Sequence, residues 1–150
     1  MELKTLGDGL TFGMNLEMQA SEVYANAARD AKNVEMKETL LGFAAVNKKR
    51  KVILEKIYNE NIYSDMDTGI FEPITGLKAV DYLIEIKPAS EINSLTILIL
   101  AIELEEKENK FYIDLASQIK SRRGIARIFE KMAQENYDRK LKLRSIHDKV

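Results

Sequence analysis

Apolar residues along this chain recur at alternating steps of four and three, the spacing that keeps side chains on one face of an α-helix. β-Branched residues rarely alternate with polar ones, so the pattern reads as all-helical. The spacing predicts a first helix over Leu10–Ala31, its start loosened by Gly7, Gly9 and Gly13. A second begins after Asn33, a good N-cap, with Glu35 complementing the dipole in its first turn, and continues to about Glu60. A third runs from near Ser94 to Ile119, and a fourth follows KSRRG and runs from Ile125 to near His147. Residues 61–93 are less regular and hold both prolines, Pro73 and Pro88, with LKAVDYLIEI (77–86) as a candidate short helix.

Two short connections and one long one imply two helical hairpins, 10–60 and 94–148, joined by a crossover over 61–93. That is the wiring of a ferritin-like antiparallel four-helix bundle. A chain of 150 residues is expected to form it as a single all-α domain spanning 1–150.

The seams of the helices carry the candidate chemistry. The second helix presents Met36, Leu40, Phe43, Asn47, Arg50, Leu54 and Ile57; the fourth presents Ile125, Phe129, Met132, Asn136, Arg139, Leu143 and Ile146. Both place Asn and Arg, three apart, inside an apolar stripe, so the basic run NKKRK (47–51) divides into inward Asn47 and Arg50 and outward lysines. The first helix presents Leu10, Met14, Glu17, Ser21, Tyr24, Ala28 and Ala31; the third presents Ser94, Leu98, Ala101, Glu105, Glu108, Tyr112, Leu115 and Ile119. In each, a Glu precedes a Tyr by seven residues. Glu17 and Tyr24 lie 88 residues from Glu105 and Tyr112, and Asn47 and Arg50 lie 89 from Asn136 and Arg139. Polar coincidences on apolar seams mark an internal duplication of a helical hairpin.

At these residues, and in AIELEEKENKFYIDLA (101–116) and IFEKMAQENYDRK (128–140), the chain resembles the rubrerythrin branch of the ferritin-like superfamily. The resemblance implies a di-iron centre built from one Glu on each of helices one and three and a Glu-x-x-His on each of helices two and four. Glu17 and Glu105 match the lone glutamates, but Asn47 and Asn136 stand at the motif's glutamates and Arg50 and Arg139 at its histidines. A guanidinium carries its proton at any ordinary pH and is no metal ligand. The single histidine, His147, lies at the far end of helix four, and no Cys-x-x-Cys electron-transfer module is present because the chain has no cysteine.

Charge accounting gives the departure a physical sense. Four carboxylates balance two ferrous ions, and two carboxylates balance two arginines just as well. The expected arrangement is an internal ion-pair network of Glu17, Arg50, Glu105 and Arg139, with Asn47 and Asn136 hydrogen-bonding into it. Glu17, Glu105 and Glu108 are the candidate metal ligands if an ion is retained, Glu108 adding a third oxygen one turn after Glu105. Tyr24 and Tyr112 are expected as packed aromatics whose hydroxyls find a partner.

With 23 basic and 24 acidic residues, the chain offers no global attraction to nucleic acid or an anionic membrane. The longest apolar run, LTILILAI (95–102), falls well short of the about 20 residues that cross a bilayer. It is apolar around its circumference, so a face left over by the bundle is expected under the crossover or in a homodimer. No secretory signal is visible, and a cytoplasmic location is expected. The favoured reading is a ferritin-like bundle without cofactor, acting as a non-catalytic scaffold or interaction protein. The alternative is a rubrerythrin-like oxidoreductase acting on peroxide, oxygen or ferrous iron, with iron or manganese at a reduced carboxylate site.

Overall fold

The computed structural model describes residues 1–64, 71–85, 94–120 and 122–149. Four long helices form the body: α1 (Leu6–Arg29), α2 (Val34–Ser64), α3 (Ser94–Gln118) and α4 (Arg123–Asp148). A strand before the bundle, β1 (Glu2–Thr5), pairs antiparallel with a strand in the crossover, β2 (Pro73–Lys78), and a 3-10 turn follows at Ala79–Tyr82. The chain is thus an all-α bundle carrying one small ribbon.

α1 packs along α2 and α3 along α4. Contacts run in opposite senses within each hairpin: Asn47 meets Glu17 and Phe43 meets Tyr24 in the first, and Asn136 meets Glu105 and the Ala133 carbonyl meets Asn109 in the second. α1 and α3 are antiparallel too, since Phe12 stacks edge-on to Phe111 while Tyr24 reaches back to Glu105. α2 and α3 are therefore parallel, and the crossover must travel the length of the bundle between them.

α1 begins at Leu6, four residues ahead of the expected Leu10. Its start is fixed by a reciprocal cap: Thr5 Oγ1 accepts from Asp8 N at 3.1 Å, and Asp8 Oδ2 accepts from Lys4 N at 3.0 Å. Gly7 does not loosen this turn but makes room in it, because a Cβ there would lie 2.7 Å from the ring of Phe71. α2 starts as expected, with Met36 N donating to Asn33 Oδ1 at 2.7 Å.

The segment 77–86 is not a helix over its described part: Leu77 and Lys78 end β2, and only Ala79–Tyr82 turn, as 3-10; residue 86 lies outside the described residues. Pairing overrides the local apolar spacing. Leu3 faces Leu77 across the ribbon, both buried, while Glu2 and Lys78 face solvent. Thr75 N donates to Gln118 Oε1 at 3.1 Å, and Tyr82 Oη to Asp114 Oδ2 at 2.8 Å, fastening the crossover onto α3.

The core falls into two apolar clusters. One gathers Leu6, Leu10, Leu54, Phe111, Leu115 and Phe129 with Leu3, Ile74 and Leu77 of the ribbon. The other gathers Ala27, Met36, Leu40, Leu98, Ala101 and Leu143. Between them lies a layer of buried polar side chains.

Glycines at the two kinds of position give opposite expected outcomes in urea unfolding. Gly7→Ala loses about 1–3 kcal/mol through overpacking against Phe71. Gly42→Ala, where a Cβ meets nothing within 4 Å, gains about 0.5–1 kcal/mol from helix propensity. Equal effects at both sites would contradict the packing described for Gly7.

Candidate functional site

The middle layer is assembled from one turn each of α2 and α4 and two turns each of α1 and α3. Because α1 and α3 run antiparallel and each carries a Glu seven residues before a Tyr, each tyrosine reaches the other helix's acid. Tyr24 Oη donates to Glu105 Oε1 at 2.7 Å, and Tyr112 Oη donates to Glu17 Oε1 at 2.6 Å. Each acid's second oxygen accepts from its hairpin partner: Asn47 Nδ2 to Glu17 Oε2 at 2.5 Å, and Asn136 Nδ2 to Glu105 Oε2 at 2.6 Å. Burial, reinforced by the neighbouring Glu105 and Glu17 respectively, raises both phenols well above the ordinary tyrosine range, so they remain donors.

The arginines complete each half. Arg50 is 2 % exposed and its Nη1 lies 3.4 Å from Glu17 Oε1 and 3.5 Å from Glu108 Oε2. Its Nη1 also donates to Asn136 Oδ1 at 3.0 Å, and its Nη2 to the Met132 carbonyl at 2.8 Å. Burial opposes its charge, but Glu17 and Glu108 outweigh that and hold it above the usual arginine range. Arg139 Nε lies 3.3 Å from Glu105 Oε1 and its Nη2 3.7 Å from Glu108 Oε2, with the guanidinium 5.3 Å over the Phe43 ring. The structure thus brings Glu17, Asn47, Arg50, Glu105, Asn136 and Arg139 together, and pairs Glu17 with Arg50 and Glu105 with Arg139.

The two-against-two balance expected from sequence is corrected by Glu108. It is as buried as Glu105, at 1 % exposure, and both arginines share it. Asn136 Nδ2 donates to its Oε2 at 2.7 Å, while its Oε1 has no hydrogen-bond partner. The layer therefore holds three carboxyl groups against two guanidinium groups. Burial, with Glu17 and Glu105 adding repulsion, drives the Glu108 pKa well above the usual carboxylate range despite Arg50 and Arg139. Burial also raises Glu105, against the opposing pull of Arg139, Tyr24 and Asn136. A neutral Glu108 restores the charge balance. In the run ELEEKENK (103–110), Glu103, Glu106 and Lys110 are exposed, and Glu106 pairs with Lys140 and Arg144 on the surface.

Sequence spacing did not single out Glu135, whose Oε1 lies 3.4 Å from Arg50 Nη2, nor the Met132 carbonyl. Glu135 precedes Asn136 and points off the seam, and a backbone acceptor leaves no mark in a side-chain pattern.

The residues present do not fit a pair of iron ions. Glu17 and Glu105 already accept tyrosine and asparagine donors on both oxygens, and fixed cations stand within 3.4 Å of each. Among the described residues, no group of three or more His, Asp or Glu side chains is arranged to hold a metal. His147 instead lies 3.6 Å from Asp148 at the end of α4.

Arg50→Ala is expected to lose about 3 kcal/mol or more in urea unfolding, because it strands Glu17 inside the bundle; a loss below about 0.5 kcal/mol would contradict the pairing. The raised carboxyl of Glu108 also sets a pH trend. The folded chain holds a proton there that the unfolded chain releases, so this contribution to stability falls as pH climbs past the unfolded value of about 4.3. Stability curves for wild type and Glu108→Gln are expected to diverge between about pH 5 and pH 8, the wild type declining more steeply. Parallel curves would show Glu108 to be ionised throughout.

The sequence matches no family model and no curated protein significantly. Solved structures do match. A Thermotoga maritima protein described as a ferritin-like diiron-carboxylate protein superposes with a TM-score of 0.78 at 17 % identity, covering 99 % of this chain and 97 % of that one. A hypothetical protein from Pyrococcus furiosus superposes with a TM-score of 0.70 at 23 % identity, covering 96 % of this chain and 89 % of its own. With its paired hairpins and long crossover, the chain has the ferritin-like fold.

Proposed function

We propose that this is a ferritin-like bundle of the rubrerythrin type in which guanidinium groups occupy the place of a metal pair. In this reading it serves in the cytoplasm as a non-catalytic scaffold or interaction protein. The observation that carries it is the enclosure of Arg50, whose permanent charge lies between Glu17 and Glu108 and whose Nη1 and Nη2 also donate to Asn136 and the Met132 carbonyl. A divalent ion placed beside that cation meets repulsion in a poorly screened interior. Glu17 and Glu105 meanwhile each accept a hydrogen bond on both oxygens without a metal. Exposed Leu95 and Ile99 on α3 support a homodimer built on that helix.

No described helix is long and apolar enough to cross a membrane. The Thermotoga maritima structure is described as a diiron-carboxylate protein, which gives the rival reading its weight. Elemental analysis of protein purified from metal-replete cells separates the two. The expected content is well below one metal ion per chain, with light scattering giving the mass of a dimer. Stoichiometric iron or manganese that disappears in Glu17→Ala would establish the oxidoreductase reading instead, and a strict monomer at micromolar concentration would remove the dimer.

A further inference from the structure

The outer faces of the two hairpins differ although the hairpins are duplicates. α3 carries Ile99 and Ile113 and α4 carries Tyr137 and Leu141, each about half exposed. The corresponding positions of the first hairpin hold Thr11, Ala25, Lys48 and Val52. Three of those four offer a polar group or a single methyl where the second hairpin offers a large apolar side chain. Large apolar groups gathered on one face mark an interaction surface.

Ile99, Glu106 and Ile113 lie seven apart along α3, and Glu130, Tyr137 and Arg144 lie seven apart along α4. Two turns of helix return a side chain to nearly the same face. Glu106 meets Lys140 at 3.2 Å and Arg144 at 3.3 Å, which places both stripes on the α3–α4 face. Asn109 Nδ2 donates to the Ala133 carbonyl at 2.7 Å, a register that sets Glu106 beside the turn carrying Tyr137. Between the two helices runs a groove of about 590 Å³, lined by the small side chains of Ala116 and Ala133 and by Ile113 and Tyr137. Among the described residues lining it, Glu130 is the one charge.

This face is complementary to itself. A two-fold axis lying in the face, across the helices at Glu106 and Tyr137, sets α4 against an antiparallel second α4 and α3 against a second α3. Residues equally far on either side of the axis then meet. Leu141, four residues after Tyr137, meets Ala133, four before it, and so enters the groove of the other copy. Arg144 meets Glu130, and Ile99 meets Ile113. Glu130 stands 3.9 Å from Arg123 and remains about half exposed, which leaves its carboxylate open to a second cation. Glu106, at the axis, is neutralised by Lys140 and Arg144 of its own chain. The first hairpin lacks this reciprocity, because Leu41 and Glu55 stand where the second has Glu130 and Arg144.

We propose that the α3–α4 face binds a second copy of this chain, antiparallel about Tyr137, with Leu141 of each copy seated in the other's groove. This rests on the homodimer reading and extends its contact surface from Leu95 and Ile99 of α3 to the outer face of α4.

The chain has no cysteine, so single substitutions report on the contact without background. Helices packed about 8–10 Å apart bring facing Cα atoms to about 5 Å, within disulfide reach. Under mild oxidation of the full chain, Tyr137→Cys is expected to form a linked dimer at least about tenfold faster than Lys48→Cys, its counterpart on the first hairpin. Leu141→Glu is expected to keep the wild-type circular dichroism spectrum while raising the dimer dissociation constant in sedimentation at least about tenfold. Val52→Glu, the same change on the first hairpin, is expected to leave that constant unaltered. A wild-type chain that is monomeric at micromolar concentration in light scattering overturns both the dimer reading and this interface. A wild-type dimer in which Tyr137→Cys links no faster than Lys48→Cys, or in which Leu141→Glu dissociates no more readily than Val52→Glu, overturns the α3–α4 interface alone.

Discussion

A buried carboxylate needs a positive partner and donors for its lone pairs, and this bundle is organised around supplying both to Glu17 and Glu105. Two apolar clusters close the layer above and below. In that setting an ion pair is weakly screened, and each unpaired group is costly. Arginine suits the role because its fork can address an acid, an amide oxygen and a carbonyl at once, as Arg50 does with Glu17, Asn136 and Met132. The tyrosines and asparagines then fill the acceptor sites that the guanidinium groups leave. Burial keeps the phenols protonated, so the layer is held by donors that do not titrate away near neutrality.

Duplication explains the plan of the layer, and departures from duplication explain its features. Glu108 has Ala20 as its counterpart in α1, and Glu135 has Val46 in α2. The first difference adds an acid that both arginines share; the second gives Arg50 a third acid that Arg139 lacks. The half around Arg50 is consequently the more fully hydrogen-bonded. In the other, Arg139 keeps only its ion pairs to Glu105 and Glu108.

Likeness of backbone and likeness of site separate in this molecule. The helices superpose on a structure described as a ferritin-like diiron-carboxylate protein over nearly the whole chain, while the middle layer of this chain sets two arginines among its acids. A four-helix bundle tolerates this because the helices are spaced by the apolar clusters on either side, whatever fills the polar layer. The ribbon adds a local brace, tying the entry of α1 to the crossover through Leu6 N and the Glu72 carbonyl at 2.8 Å.

The sequence by itself determined the four helices, the long crossover and the inward placement of Asn47, Arg50, Glu105 and Asn136, because a 3.6-residue period assigns each position to a face. It also carried the cap at Asn33, since an Asn ahead of an apolar stripe is a local signal. The tertiary structure decided the rest. Leu3 and Leu77 became ribbon partners although 74 residues separate them, and Gly7 became a helical packing site because Phe71 lies against it. The raised pKa of Glu108 is likewise a property of the assembled layer. Periodicity tells which way a side chain faces; only the packed bundle tells how many charges meet there and which of them find an answer.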